Sequence, residues 1–309
     1  MRWLLDLLTA TLPAVEVAGD RLDPRVRALL WLGELRPSIA TYSPAEARKQ
    51  ARKRQRMLPV PKVDLDVEDF HAAGLPMRRY TPANPAGAAL LYFHGGGFVI
   101  GGLDSHDLLC RLLARDSGVE VIAVDYRLAP EHVFPAAVDD AQAAWDWFVQ
   151  QPHRRHLVGG DSAGANLAAM LAHTRDPDGQ LLIYPATDRH NHRPSRDTYA
   201  RGFLYTTAMS TWFKDHYLPP RVDRRDPLVS PLFVEDLSGQ CPAHVLIAGF
   251  DILRDEGEAY VERLQQAGVA VTVQLERSLP HGFIALLGAI PTGQEAVRTA
   301  AQALKRLAG

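Results

Sequence analysis

Only two of the 309 residues are cysteine, Cys110 and Cys241, and they form no C-x-x-C spacing. A disulfide-stapled scaffold and a cysteine-ligated zinc site are both excluded on that count, and the two thiols read as small buried hydrophobes. No apolar run reaches the ~18–20 residues of a membrane span, so stable membrane insertion is not expected. Arg2 followed by leucines imitates a secretory leader, but the stretch from Trp3 to Ala14 is cut by Asp6, and a cytoplasmic protein is the expectation. An excess of charge is missing as well. With 34 Lys and Arg against 36 Asp and Glu the net charge is −2, which leaves no global field to collect nucleic acid or acidic lipid.

What is present is an ordinary globular composition. An apolar share of 47% and a charged share of 23% argue against disorder, collagen and coiled coil, and allow a large core. Leucine and tryptophan recur at helical spacing from Val26 to Leu35, and Ser43-Pro44-Ala45-Glu46 is a capping box with proline at the first helical position. The helix it starts carries Arg48, Lys49, Arg52, Lys53, Arg54 and Arg56. No aromatics interleave with these cations, so they read as a solvated face.

After Pro61 short apolar runs alternate with longer helical stretches, the pattern of a mostly parallel sheet with crossover helices. Strands are predicted at Lys62–Val67, Met77–Tyr80, Ala88–Phe93, Val119–Val124, His156–Val158, Gln180–Tyr184, Ala243–Ala248 and Val269–Leu275, and helices at 104–116, 136–151, 163–173, 255–267 and 293–307. Residues 189–230 break this rhythm. The expected organisation is an N-terminal helical cap segment at 1–60, one α/β core at 61–188 and 231–309, and a second cap insertion at 189–230 lying over the carboxyl edge of the sheet.

The sharpest motif is Gly160-Asp161-Ser162-Ala163-Gly164, a G-x-S-x-G between an apolar run and a helical stretch. A serine on such a strand-to-helix turn takes a strained backbone that only small neighbours permit, and its hydroxyl stands at the helix N-terminus. A second motif, His94-Gly95-Gly96-Gly97-Phe98, ends another apolar run. Three glycines allow close backbone approach and turn N–H groups toward a developing negative charge. A phosphate loop is the other use of glycine, but the P-loop lysine and the G-x-G-x-x-G spacing are both absent.

A serine hydroxyl needs a base, and the base needs an orienting partner. The best-placed acid after Ser162 is Asp251, directly beyond an apolar run, while Asp255 and Glu256 compete from the start of the next helix, where acids complement the helix dipole. His281, chosen from 12 histidines, follows the last predicted strand.

Together with Asp125-Tyr126-Arg127-Leu128-Ala129-Pro130-Glu131-His132, these motifs resemble the hormone-sensitive-lipase-like esterases over most of the chain, from about Leu22 onward. The resemblance implies an α/β-hydrolase fold, with a mostly parallel central sheet, helices on both faces and a helical cap. It implies Ser162 as nucleophile, His281 as base, Asp251 as its orienter, and oxyanion donors at the backbone N–H of Gly96, Gly97 and Ala163. His94 is similar to the histidine that braces the glycine loop, and the Asp125–Glu131 segment to a scaffold. Two departures are Ala165, where the family commonly has glycine, and Ile252, where it commonly has proline and whose presence should loosen the loop holding Asp251.

Other clusters weigh less. Asp188, His190 and His192 lack a fourth ligand at metal-site spacing, and Asp161 is expected to make a structural hydrogen bond. Phe203, Trp212, Phe213 and Tyr217 line an acyl pocket or form the insertion's own core, the pocket being slightly favoured. The expectation is a serine carboxylesterase acting on short- to medium-chain acyl or aryl esters through an acyl-enzyme, without metal or organic cofactor. Its partner is a small hydrophobic ester rather than nucleic acid, and a homodimer is compatible with the sequence. An amidase or peptidase, and a non-catalytic small-molecule receptor on the same scaffold, are the alternatives.

Overall fold

A computed structural model describes residues 2–34 and 36–309, the side chains at 2–4 and 34 excepted; the Leu35 end of the expected N-terminal helical run lies outside them. The N-terminal segment holds α1 (Arg2–Thr11), α2 (Pro24–Glu34) and α3 (Pro44–Gln55). Ser43 caps α3 as its capping box requires, accepting from the Glu46 amide. The segment is not wholly helical: β1 (Glu16–Val17) and β2 (Asp20–Arg21) form a small hairpin. Its turn, Ala18-Gly19, has positive φ at both positions, the backbone that a two-residue hairpin demands and that a search for helical spacing passes over. Buried Asp20 accepts from Arg254 and Arg277, tying the hairpin to the core.

The remaining strands are β3 (Asp66–Ala72), β4 (Leu75–Thr81), β5 (Ala88–Phe93), β6 (Glu120–Val124), β7 (Arg155–Asp161), β8 (Gly179–Ile183), β9 (Ala243–Phe250) and β10 (Val271–Pro280). They form one sheet in the order β10-β9-β8-β7-β5-β6-β4-β3, parallel except where β4 meets β3 and β6. Every residue of β5, β8 and β9 is buried, which is why these strands read as continuous apolar runs rather than alternations. The first predicted strand was placed too early in the chain: Val63, Leu65 and Val67 alternate as a strand would, but pairing with β4 begins only at Asp66 and runs to the Ala73-Gly74 hairpin turn. At the other end, β10 extends through Pro280, so the sheet carries the chain to the very residue before His281.

Crossover helices α4 (Leu103–Ser117), α5 (Ala136–Phe148), α6 (Ala163–Thr174), α9 (Arg254–Gln266) and α10 (Pro291–Ala308) surround the sheet. Between β8 and β9 the irregular stretch contains α7 (Ser195–Thr198) and α8 (Thr207–Tyr217). One continuous core spans sheet and helices, and residues of α8 join it through Phe213 and Tyr217. A smaller cluster of Leu5, Leu8, Ala28 and Ala289 seats the N-terminal helices. Among the described residues, no helix is long and apolar enough to cross a membrane.

Candidate active site

Strand β7 ends at Asp161 and α6 begins at Ala163, leaving Ser162 alone on the turn with φ 54° and ψ −113°. A non-glycine residue there is strained, and two neighbours make the turn possible. A Cβ on Gly164 would lie 1.8 Å from the Phe93 carbonyl oxygen, and one on Gly160 would lie 2.4 Å from the Gly164 carbonyl carbon. The Ser162 amide donates to Ile183 at 2.9 Å, and the Asn166 side chain donates to Ala186 and Val229, so the turn is sewn to the end of β8 and to the far end of the stretch between β8 and β9.

Two further strand ends deliver the other groups. Asp251 follows β9 directly and His281 follows β10 directly. His281 Nδ1 lies 2.7 Å from Asp251 Oδ2, and His281 Nε2 lies 2.8 Å from Ser162 Oγ. An ionised carboxylate can only accept, so Nδ1 carries the ring proton and Nε2 is free to accept from the serine hydroxyl. The other Asp251 oxygen accepts the Leu253 amide at 2.7 Å. Asp251 is 1% exposed, His281 5% and Ser162 9%, so the chain of bonds is shielded from competing water. The competing acids are committed elsewhere: Asp255 accepts the Ser195 amide, and Glu256 accepts from Thr187, Asp188 and Arg196. Burial raises the Glu256 carboxyl above its ordinary range, and the Arg196 cation opposes that rise.

The glycine loop leaves β5 beside this constellation. Gly96 and Gly97 have φ of 118° and 61°, and a Cβ on Gly97 would fall 2.3 Å from Phe213 Cγ. Asp161 braces the loop from below. Its Oδ1 accepts the Gly95 amide at 2.7 Å and the Tyr92 hydroxyl at 2.8 Å, with His106 Nε2 at 3.2 Å. Although burial opposes ionisation, His106 and these donors hold the Asp161 carboxyl below its usual range. The His94 ring stacks on Tyr126 at 4.3 Å and its Nδ1 sits 2.7 Å from the Gly95 carbonyl oxygen. Desolvation lowers the His94 pKa to about 3, which fits a neutral brace. Ala163 opens α6, where first-turn amides have no partner within the helix.

The aromatic residues of the insertion divide. Phe213 crowds Gly97, Tyr217 stacks on Phe98 at 3.9 Å, and Phe203 packs on Phe250 at the end of β9. Trp212 faces His216 and Phe213 within its own helix. Asp188 is spent on the amides of His190 and Asn191 and on Arg193, while His192 pairs with Asp197. Among the described residues no three His, Cys, Asp or Glu side chains gather as a metal site would require.

A sequence family described by the alpha/beta hydrolase fold matches residues 90–285, the span from β5 past His281. The chain belongs to the α/β-hydrolase family. This hydrolase is 40% identical to the carboxylic ester hydrolase LipN of Mycobacterium tuberculosis, over 88% of its own length and 80% of that protein's. It is 39% identical to an ethyl acetate hydrolase of Pseudomonas putida, over 92% and 99% of the two chains. Among solved structures it superposes with a TM-score of 0.86 on the ester-hydrolase EH1AB1 from the metagenome of Lake Arreo, in complex with a bipyridine phosphonate derivative. That pair shares 38% identity over 92% of this hydrolase and 98% of the other chain.

Three contacts of the hydrolase were not legible beforehand. Tyr184 and Tyr205 flank the His281 ring, each with ring centroids 4.5 Å away. Tyr184 has φ 35°, and no motif marks either tyrosine. Arg48, expected on a solvated face, instead turns inward to hydrogen-bond the far side of the glycine loop, because four oxygens converge on its guanidinium. The expected loosening at Ile252 does not occur either: the residue is fully buried and its carbonyl is held by Ser195.

Proposed function

We propose that this hydrolase is a serine carboxylesterase in which Ser162 is the nucleophile, His281 the general base and Asp251 the group that fixes its tautomer. The observation that carries the reading is the unbroken chain of short bonds from Asp251 through His281 to Ser162. Ser162 Oγ attacks the ester carbonyl while His281 Nε2 takes its proton, and the resulting imidazolium is stabilised by Asp251. The amides of Gly96, Gly97 and Ala163 donate to the carbonyl oxygen as it becomes an oxyanion. Collapse expels the alcohol, protonated by His281, and leaves an acyl-serine. Water, activated by the same histidine, then releases the acid.

The α8 helix and the N-terminal segment act as a cap over this site. Phe213 against Gly97 and Tyr205 against His281 narrow the space beside the reacting atoms, which favours short- to medium-chain acyl or aryl esters. The name of the ethyl acetate hydrolase relative is in keeping with that size.

A fluorophosphonate probe tests the assignment. Stoichiometric labelling of Ser162, with loss of 4-nitrophenyl acetate turnover, is expected. Tight ligand binding without labelling would make the protein a receptor on a hydrolase scaffold. Rates across 4-nitrophenyl esters should fall beyond medium chain length, and a preference for emulsified long-chain triglyceride would overturn the proposed range.

A further inference from the structure

The glycine loop does not hold itself at its exit. The amides of Val99 and Ile100 both donate to the Gly96 carbonyl, at 3.1 and 3.0 Å, so the placement of 99–100 sets the orientation of the Gly96 peptide. Phe98, at φ 64°, accepts the Ala129 amide at 2.8 Å through its carbonyl. Beyond that point the loop meets Arg48 from α3. Arg48 Nε donates to the Val99 carbonyl at 2.7 Å and Nη2 to the Ala129 carbonyl at 2.7 Å. The same guanidinium grips Glu131 with both ends of its fork, at 2.9 and 2.6 Å. One planar cation thus joins the loop exit, the 129–131 segment and α3. Its neighbour Lys49 is 72% exposed at the side chain and Arg48 only 19%. A surface ion pair alone contributes little, but the two carbonyl bonds and the fork geometry set this one apart.

We propose that Arg48 is a positioning residue for the oxyanion hole, through which docking of the N-terminal cap segment sets the direction of the Gly96 and Gly97 amides. The proposal rests on the reading of those amides as oxyanion donors. Loss of the fork leaves the Val99 and Ala129 carbonyls without this donor and frees the loop exit to rotate, while Ser162, His281 and Asp251 keep their bonds. Donors of this kind act only where charge develops, so their misplacement affects the transition state more than substrate binding.

The test compares wild type with Arg48→Met and Arg48→Lys, using 4-nitrophenyl acetate and an aryl trifluoromethyl ketone that forms a tetrahedral adduct with the serine. Turnover is normalised to active sites titrated with the fluorophosphonate. For Arg48→Met, kcat per titrated site should fall about 10- to 100-fold. KM should stay within about twofold, as expected for an interaction made only in the transition state. The ketone should weaken in step with kcat/KM. Lysine keeps the charge toward Glu131 but cannot span the carbonyls, so Arg48→Lys should show the same split, and it carries the test if Arg48→Met does not fold. Unchanged kcat per titrated site, or a loss confined to KM or thermal stability, would overturn the proposal. Failure of Ser162 to label in the wild type would instead sink the esterase reading beneath it.

Discussion

The Ser195 hydroxyl donates to the Ile252 carbonyl at 2.9 Å, one residue beyond Asp251. The Ser195 amide donates to Asp255 at 2.8 Å, and the Asp255 amide returns a bond to Ser195 Oγ at 3.3 Å. A short turn of the insertion therefore clamps the loop that carries Asp251, and half-buried Arg196 adds an ion pair to buried Glu256 at 2.7 Å. Ser195→Ala leaves a buried carbonyl without its donor. Stability should drop by about 1–3 kcal/mol in urea unfolding. A several-fold decrease in kcat should accompany it, and a variant as active and as stable as wild type would show that the clamp is idle.

Ser162→Ala removes the proposed attacking oxygen and nothing else of size. Turnover of 4-nitrophenyl acetate should fall by a factor on the order of 10³–10⁶. The far-ultraviolet circular dichroism and melting temperature should match wild type. Near-normal turnover would mean that another residue is the nucleophile.

Gly164→Ala is expected to be among the most damaging single changes in the chain. The added carbon would meet backbone, the Phe93 oxygen at 1.8 Å, and backbone cannot swing aside as a side-chain tip can. Destabilisation above about 4 kcal/mol, read as insoluble expression or a collapsed melting temperature, follows from overpacking of this severity. Ala165→Gly, one residue on, should fold and label with fluorophosphonate as wild type does.

Acid should destabilise the fold well before the carboxylates titrate. Desolvation lowers His94 to about 3, and burial also depresses His153, His173 and His244. Each binds a proton more readily unfolded than folded. Their contribution is complete above the unfolded pKa near 6.5 and is lost as pH falls from there toward the folded values. Between pH 7.5 and 5.0 the unfolding free energy should decline, with a limiting slope of about 1.4 kcal/mol per pH unit from His94 and further loss in the same direction from the other three. The lowered Asp161 and Glu131 add their losses only below the ordinary carboxylate range. Equal unfolding free energies at the two pH values would contradict this account.

Much of the site was legible because its determinants are local. The two glycines around Ser162 stand within two residues of it, the three glycines after His94 are consecutive, and a parallel strand buried on both faces must be apolar throughout. Motif spacing and apolar runs therefore pointed to Ser162 and to the glycine loop after His94, position after a strand pointed to Asp251 and His281, and the family resemblance implied Gly96, Gly97 and Ala163 as the donors. The hairpin at 16–21 and the true start of β3 were not legible, since two-residue strands carry no periodicity and Val63 to Val67 alternate without a partner.

By itself, then, the sequence determined the alternation of strands and helices, the strained serine turn and the glycine loop, each written in residues adjacent along the chain, although the atoms that exclude a side chain at Gly164 and Gly97 belong to Phe93 and Phe213. Tertiary structure alone decided that Arg48 faces inward, that Tyr184 and Tyr205 enclose His281, and that Ser195 stands in for a stiffer residue at 252. Those outcomes depend on which distant backbone oxygens and rings the folded sheet brings within bonding range of a side chain. A guanidinium on an exposed-looking helix carries no mark of the carbonyls that await it 51 and 81 positions later.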